Sequence, residues 1–177
     1  MKRRFVVSDH HFLHDRVYAF TNAKGQRIRP WAENAAQADE MMIEAHNSVV
    51  RQQDTVYFGG DVAIKAKGLE LLRRMNGRKI LIRGNHDIFR MKQYAEHFAD
   101  IRGTHKIDRL ILSHYPLHRG SIPHWCKANV HGHTHGNDVL RRRWFGARQA
   151  DPLYINVCVE KLPGLAPLDI EEILDRP

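Results

Sequence analysis

Thirteen histidines occur among 177 residues, and several fall in short polar clusters with aspartate or asparagine. The clusters are Asp9-His10-His11, Gly60-Asp61, Gly84-Asn85-His86-Asp87, His114 and Gly132-His133-Thr134-His135. Carboxylate oxygen and imidazole nitrogen together suit manganese, iron, nickel, cobalt or zinc. Asp-x-His and His-x-His each set two side chains on one side of an extended segment, because side-chain direction repeats every second residue. Asp61 stands alone on its loop; its two oxygens could bridge two ions, and Asn85 adds a neutral oxygen donor. Two ions roughly 3.5–4 Å apart can hold an attacking hydroxide and phosphoryl oxygens in line. Only Asp9 and Asp61 bring negative charge to such a centre, so it stays positive, draws phosphate and stabilises charge growing in the transition state. Gly60, Gly84 and Gly132 let the backbone turn sharply where each ligand is delivered.

The elements that must position these clusters are short apolar runs. Arg4 to Val7 reads as a strand ending at Ser8-Asp9, and Thr55 to Phe58 as a strand ending at Gly59-Gly60-Asp61. Lys79 to Ile82 runs into Gly84-Asn85-His86-Asp87, Leu110 to Leu112 into Ser113-His114, and Ala128 to Val130 into His131-Gly132-His133. Residues 153–159 form a last strand. Residues 33–51 have apolar positions at helical spacing, and shorter helices are expected over 69–75 and 90–98. Residues 20–32 and 115–127 read as loops. Strands without clean alternation are buried on both faces, and helices lie between several of them, which predicts an α/β fold. Ligand sites in such sheets collect at the carboxyl ends of strands, so the five clusters are expected to meet.

Length fits one domain over residues 1–177. Hydrophobic residues make up 42% and charged residues 27%, ordinary for a globular chain, and the net charge of +8 favours polyanionic partners. No run of eighteen apolar residues is present, so no membrane span is expected. The first seven residues read as a strand and not a signal peptide, and the two cysteines, Cys126 and Cys158, as free thiols of a cytoplasmic protein. The run Arg141-Arg142-Arg143 reads as a solvated hairpin face or as a contact for a polyanion. Taken singly, Asp9 or Asp61 would be a turn or cap residue. His10, His14 and His131 flank the motifs and read either as substrate contacts or as packing.

In order, these blocks resemble the calcineurin-like metallophosphoesterase superfamily, whose pattern is D-x-H, GD, GNH[DE], a lone H and GHxH. The resemblance covers roughly residues 4–160. Ser8-Asp9-His10-His11-Phe12-Leu13-His14 and Arg29-Pro30-Trp31 are similar to the small, single-domain bacterial and phage-type members, with Leu13 where glycine is usual and Val62 where phenylalanine is common. The resemblance implies a two-layer β-sandwich flanked by helices, a four-layer αββα arrangement. It implies that Asp9, His11, Asp61 and His135 hold a first metal and that Asp61, Asn85, His114 and His133 hold a second. His86 would act on the substrate as general acid or transition-state stabiliser, with Asp87 orienting it.

The expected function is a dinuclear metal-dependent phosphoesterase, a phosphodiesterase first, in which a hydroxide bridging two ions attacks phosphorus. Manganese is the preferred metal, with iron, zinc, nickel or cobalt as alternatives. The substrate is a phosphate ester, with nucleotide or nucleic acid among the candidates. A nuclease, or a phosphomonoesterase or protein phosphatase, would use the same site. A non-catalytic metal-binding scaffold and a nucleic-acid-binding module are the readings from other classes.

Overall fold

The computed structural model describes residues 1–22, 24–142 and 146–176, with the backbone but not the side chain of Tyr18. The fold is α/β and built on two main sheets. The first has the order β11-β1-β2-β3-β4, from β1 (Arg4–Val7), β2 (Thr55–Phe58), β3 (Arg78–Ile82), β4 (Asp100–Arg102) and β11 (Leu168–Asp169). The second has the order β10-β7-β6-β5, from β5 (Thr104–Ile107), β6 (Leu110–Ser113), β7 (Ala128–His131) and β10 (Tyr154–Asn156). A separate hairpin pairs β8 (Leu140–Arg142) with β9 (Arg148–Ala150). One core draws Val6, Val56 and Leu81 from the first sheet and Leu112 and Val130 from the second.

Strand register explains why the clusters converge. β1, β2 and β3 are parallel, with Val7 opposite Phe58 and Phe58 opposite Leu81, so their carboxyl ends reach one sheet edge. β6, β7 and β10 are also parallel, with Ser113 opposite His131 and His131 opposite Asn156. The two edges join at Ser8, whose N–H donates to Val157 O (2.8 Å) and whose carbonyl accepts from Val159 N (2.9 Å).

Helix α1 (Ala35–Val49) sits inside the expected 33–51. It starts at Asn34, whose side chain accepts from Gln37 N (2.9 Å), and buries Ala38, Met42 and His46 on one stripe. Segment 69–75 belongs to a run of 3₁₀ turns over Ala66–Arg74, not an α-helix. Helix α2 (Met91–Ala95) is shorter than the expected 90–98. The last strand keeps only Tyr154–Asn156 of 153–159: Val157 N still donates to His131 O, but its carbonyl and the N–H of Val159 bond Ser8. Within the 20–32 loop, Thr21 bridges Arg27, and a short helix α3 (Ile170–Leu174) closes the chain. Among the described residues, no helix is long and apolar enough to cross a membrane.

Candidate metal centre

The segments carrying the ligands are not extended. Asp9, His11, Asp61, His133 and His135 all have positive φ, at 62°, 51°, 52°, 66° and 47°. Among non-glycine residues, aspartate and histidine are enriched in this left-handed region, so ligand type and backbone demand coincide. Such positions still cost on the order of 1–3 kcal/mol each and persist only where the surroundings impose them. Leu13 shares the conformation (φ 58°), so the chain keeps the path a glycine would take there. Of the three motif glycines, Gly60 makes the turn, at φ 103°. Gly84 and Gly132 serve close approach: a Cβ would run into Asp61 Oδ1 at the first and into Ser8 Oγ and Asp9 Oδ2 at the second.

Two groups of donors result. Asp9, His11 and His135 form one, and Asp61, His114 and His133 the other; within each, all three donor atoms lie within 4.8 Å of one another. Asp61 Oδ2 lies 3.7 Å from His11 Nε2 and 3.5 Å from His114 Nε2, between the groups. Asn85 Oδ1 lies 2.8 Å from His114 Nε2. Each group takes donors from both sheets. Asp9, His11 and Asp61 follow strands β1 and β2 of the first, while His114, His133 and His135 follow β6 and β7 of the second.

These donors fit a cation. Asp9 Oδ1 and both ring nitrogens of His11 are buried without a hydrogen-bond partner, a costly state for polar atoms that an ion would relieve. Burial alone would push the Asp9 carboxyl up, but the His11 ring and the charge of His114 and His135 outweigh it and hold Asp9 well below the usual carboxylate range. Asp61 is lowered in the same way: burial opposes, and His114 prevails. Burial pulls His114 down, yet Asp61 and Asp9 leave it raised.

Neighbouring groups aim the donors. Asp9 Oδ2 accepts from Ser8 Oγ (2.5 Å), His133 N (2.9 Å) and Cys158 Sγ (3.3 Å), which leaves Oδ1 as the oxygen open to a cation. His114 Nδ1 donates to Gly59 O (2.8 Å), turning Nε2 toward Asp61. His135 Nδ1 meets Glu160 Oε1 at 2.5 Å, and its Nε2 faces Asp9 Oδ1 at 3.9 Å. A carboxylate behind a ligating imidazole fixes its tautomer and raises its basicity. Behind Glu160 stands Arg29, only 1% exposed, 3.6 Å from the carboxylate and donating to Asp9 O (2.5 Å) and His10 O (2.8 Å). Sequence reasoning missed Glu160 and gave Arg29 no role. Glu160 lies 25 residues from His135, with no motif to link them; Arg29 could have been found as a cation in a segment otherwise ready for burial.

The remaining site residues divide. His86 is exposed, its N–H donates to Asp61 Oδ1 (2.8 Å), and its ring stands edge-on to His11 at 5.4 Å. Asp87 does not orient His86. Its buried carboxylate accepts the backbone N–H groups of Asp61 (2.8 Å), Val62 (3.1 Å) and Gly84 (2.8 Å), and so clamps two ligand loops together. His14 lies at the rim, 5.8 Å from the His11 ring and half-buried, with its imidazole pushed down to about 4 by burial and the charge of His11. His10 and His131 are each 1% exposed and cannot meet a substrate. His10 packs between Phe12 and Phe58, since the residue between two left-handed ligands points into the core. His131 turns Nδ1 to Gly132 O (2.8 Å) beneath the loop.

No family model matches the chain. It is similar to the Gene 66 protein of Mycobacterium phage L5, 28% identical with 80% of this chain and 82% of that protein aligned. The crystal structure of AQ665, a protein of unknown function from Aquifex aeolicus, superposes with a TM-score of 0.70 over 98% of both chains. At 24% identity that likeness speaks for the fold. The uncharacterized protein MJ1445 of Methanocaldococcus jannaschii is 30% identical over 166 residues, which span 90% of this chain and 83% of the relative. At that identity and coverage, the chain belongs to the family of MJ1445.

Proposed function

We propose that this protein is a dinuclear metal-dependent phosphoesterase, acting first on phosphodiesters, in a four-layer αββα sandwich. The observation that carries the reading is the position of Asp61 Oδ2, within 3.7 Å of one histidine of each donor group. Two sheets sharing one core, with helices between their strands, support the sandwich. Asp9, His11, Asp61 and His135 would hold one ion, and Asp61, Asn85, His114 and His133 the other. Manganese is the first choice, because a site richer in imidazole than in carboxylate suits a first-row transition metal better than magnesium. When bound, the ions supply Lewis acidity that lowers the pKa of a water and steadies negative charge on a phosphoryl group.

The chain's own residues do the rest. His86 is held by its backbone against Asp61 while its ring stays exposed over the donor groups, placed to give a proton to the departing alkoxide. His14 lines the rim on the His11 side. The test is hydrolysis of bis-p-nitrophenyl phosphate and of p-nitrophenyl phosphate by chelator-treated protein, with manganese, zinc or magnesium restored singly. Turnover with manganese and little with magnesium is expected, the diester being preferred. No turnover with any first-row divalent ion would refute the proposal.

A further inference from the structure

A cavity of about 340 Å³ opens directly beside the candidate metal centre. Its floor is made by His133 and His135, and its wall by Phe20 and Ile28 at the two ends of the Thr21–Arg27 turn. Phe20 is 42% exposed, with its ring 5.5 Å from that of His14. Asn137 is shared with a second cavity of about 530 Å³, bounded by Lys24, Lys161 and Leu140. Leu140 is the first residue of β8, so the groove runs from the metal ligands to the foot of the β8–β9 hairpin.

The described part of that hairpin carries three arginines. Arg141, Arg142 and Arg148 are exposed, and Arg142 lies directly opposite Arg148 in the antiparallel register. Like charges placed opposite each other weaken a hairpin. Among the described residues, no carboxylate pairs with any of the three, although Lys161 in the groove has Asp138 at 2.9 Å. Arg143 lies outside the described residues. A polyanion laid along the groove would meet the half-exposed Phe20 ring next to the candidate ligands, then Lys24 and the Lys161–Asp138 pair, then two arginines with no carboxylate partner among the described residues. This is the layout of a single-strand track, where unpaired bases stack on aromatic rings and cations follow the phosphates. A duplex keeps its bases stacked inside and would leave Phe20 without a role.

We propose that the groove from Phe20 to the β8–β9 hairpin binds single-stranded nucleic acid and feeds one phosphodiester to the candidate metal centre. The delivery step rests on the phosphodiesterase reading; the binding step does not. The test is fluorescence anisotropy with labelled single strands of DNA and RNA about twelve nucleotides long, and with a duplex of equal length, on chelator-treated protein over a range of salt. A single strand of either sugar should bind tighter than both the duplex and a mononucleotide. Arg142→Ser with Arg148→Ser should weaken it about tenfold or more and reduce the salt slope by about 1.4, or roughly 0.7 for each lost phosphate contact. The same variant should leave turnover of bis-p-nitrophenyl phosphate within about twofold, since neither arginine lines the cavity beside His133 and His135. Phe20→Ala should weaken binding about 5- to 150-fold, and Phe20→Trp should restore it. Duplex binding as tight as single-strand binding, or an arginine variant equal to wild type, would overturn the track. Single-strand binding without turnover of any diester would support the track and sink the phosphodiesterase reading instead.

Discussion

Glu160→Gln tests whether the buried carboxylate behind His135 sets the metal affinity of one donor group. Glu160 Oε1 sits 2.5 Å from His135 Nδ1, and its side chain is 2% exposed, so water hardly competes for the bond. Glutamine keeps the shape and removes the charge, leaving His135 free to adopt the wrong tautomer and a less basic Nε2. Outer partners of this kind are worth about 10–100-fold in metal affinity, or about 1.4–2.8 kcal/mol. The loss should fall on the group of Asp9, His11 and His135 and spare that of Asp61, His114 and His133. Calorimetric titration of chelator-treated protein with manganese or zinc should therefore show one site weakened and one retained. Arg29 loses its carboxylate partner at 3.6 Å but keeps two carbonyl acceptors, so the fold should survive at a cost of up to about 3 kcal/mol. A variant whose two sites both titrate with wild-type affinity would refute the reasoning.

Further outcomes follow from the same geometry. Asp61→Ala should weaken metal at both groups, whereas His86→Ala should keep both metals and lower diester turnover about 10²- to 10⁴-fold, by elemental analysis alongside kinetics. Asp87→Ala should not resemble His86→Ala: it strands three backbone N–H groups, each costing about 1–3 kcal/mol where buried, and should show a large fall in Tm with loss of metal. Gly132→Ala forces a Cβ into Ser8 and Asp9, so about 1–3 kcal/mol of stability and the Asp9 metal should be lost together, read by thermal melts and titration. Asp39 is buried and its carboxyl is pushed from 3.8 to about 6 by burial, with the bond from Leu13 N opposing. Its favourable contribution is complete below pH 3.8 and lost as pH rises through 6, so Asp39→Asn should gain on wild type as pH rises from 3.8 to about 6 and hold that gain above it, by up to about 3 kcal/mol in denaturant melts.

Much of the site was legible because each cluster ends an apolar run, and parallel strands in register bring such ends to one edge. The seven expected ligands do meet there. What the sequence hid was geometry that pattern cannot carry. Spacing suggested that Asp9 and His11 point together from an extended segment, yet both are left-handed, and His10 is driven into the core between two phenylalanines. Asp87 looked like a partner for His86 because it follows it; in space, the nearer demand came from three unsatisfied amide groups. Strands β4 and β11 escaped notice because three or two residues are too short to show alternation. Glu160 escaped because tertiary bonds, those at Ser8 among them, bring residues 157–160 beside the Asp9 loop from far along the chain.

That junction at Ser8 has a mechanical meaning. Each donor group spans both sheets, so an ion seated in either group would act as a further cross-link between halves already joined by shared packing, the backbone bonds at Ser8 and side-chain bonds such as His114 Nδ1 to Gly59 O. A ligand that binds only the assembled form stabilises it by RT ln(1 + [L]/Kd), about 2.7 kcal/mol at a hundredfold excess over Kd. The two sheets would then come apart together in metal and separately in chelator. Amide exchange in β1 and β10 would be coupled when the ions are present and uncoupled when they are stripped, so the centre would set the cooperativity of the fold as well as its chemistry.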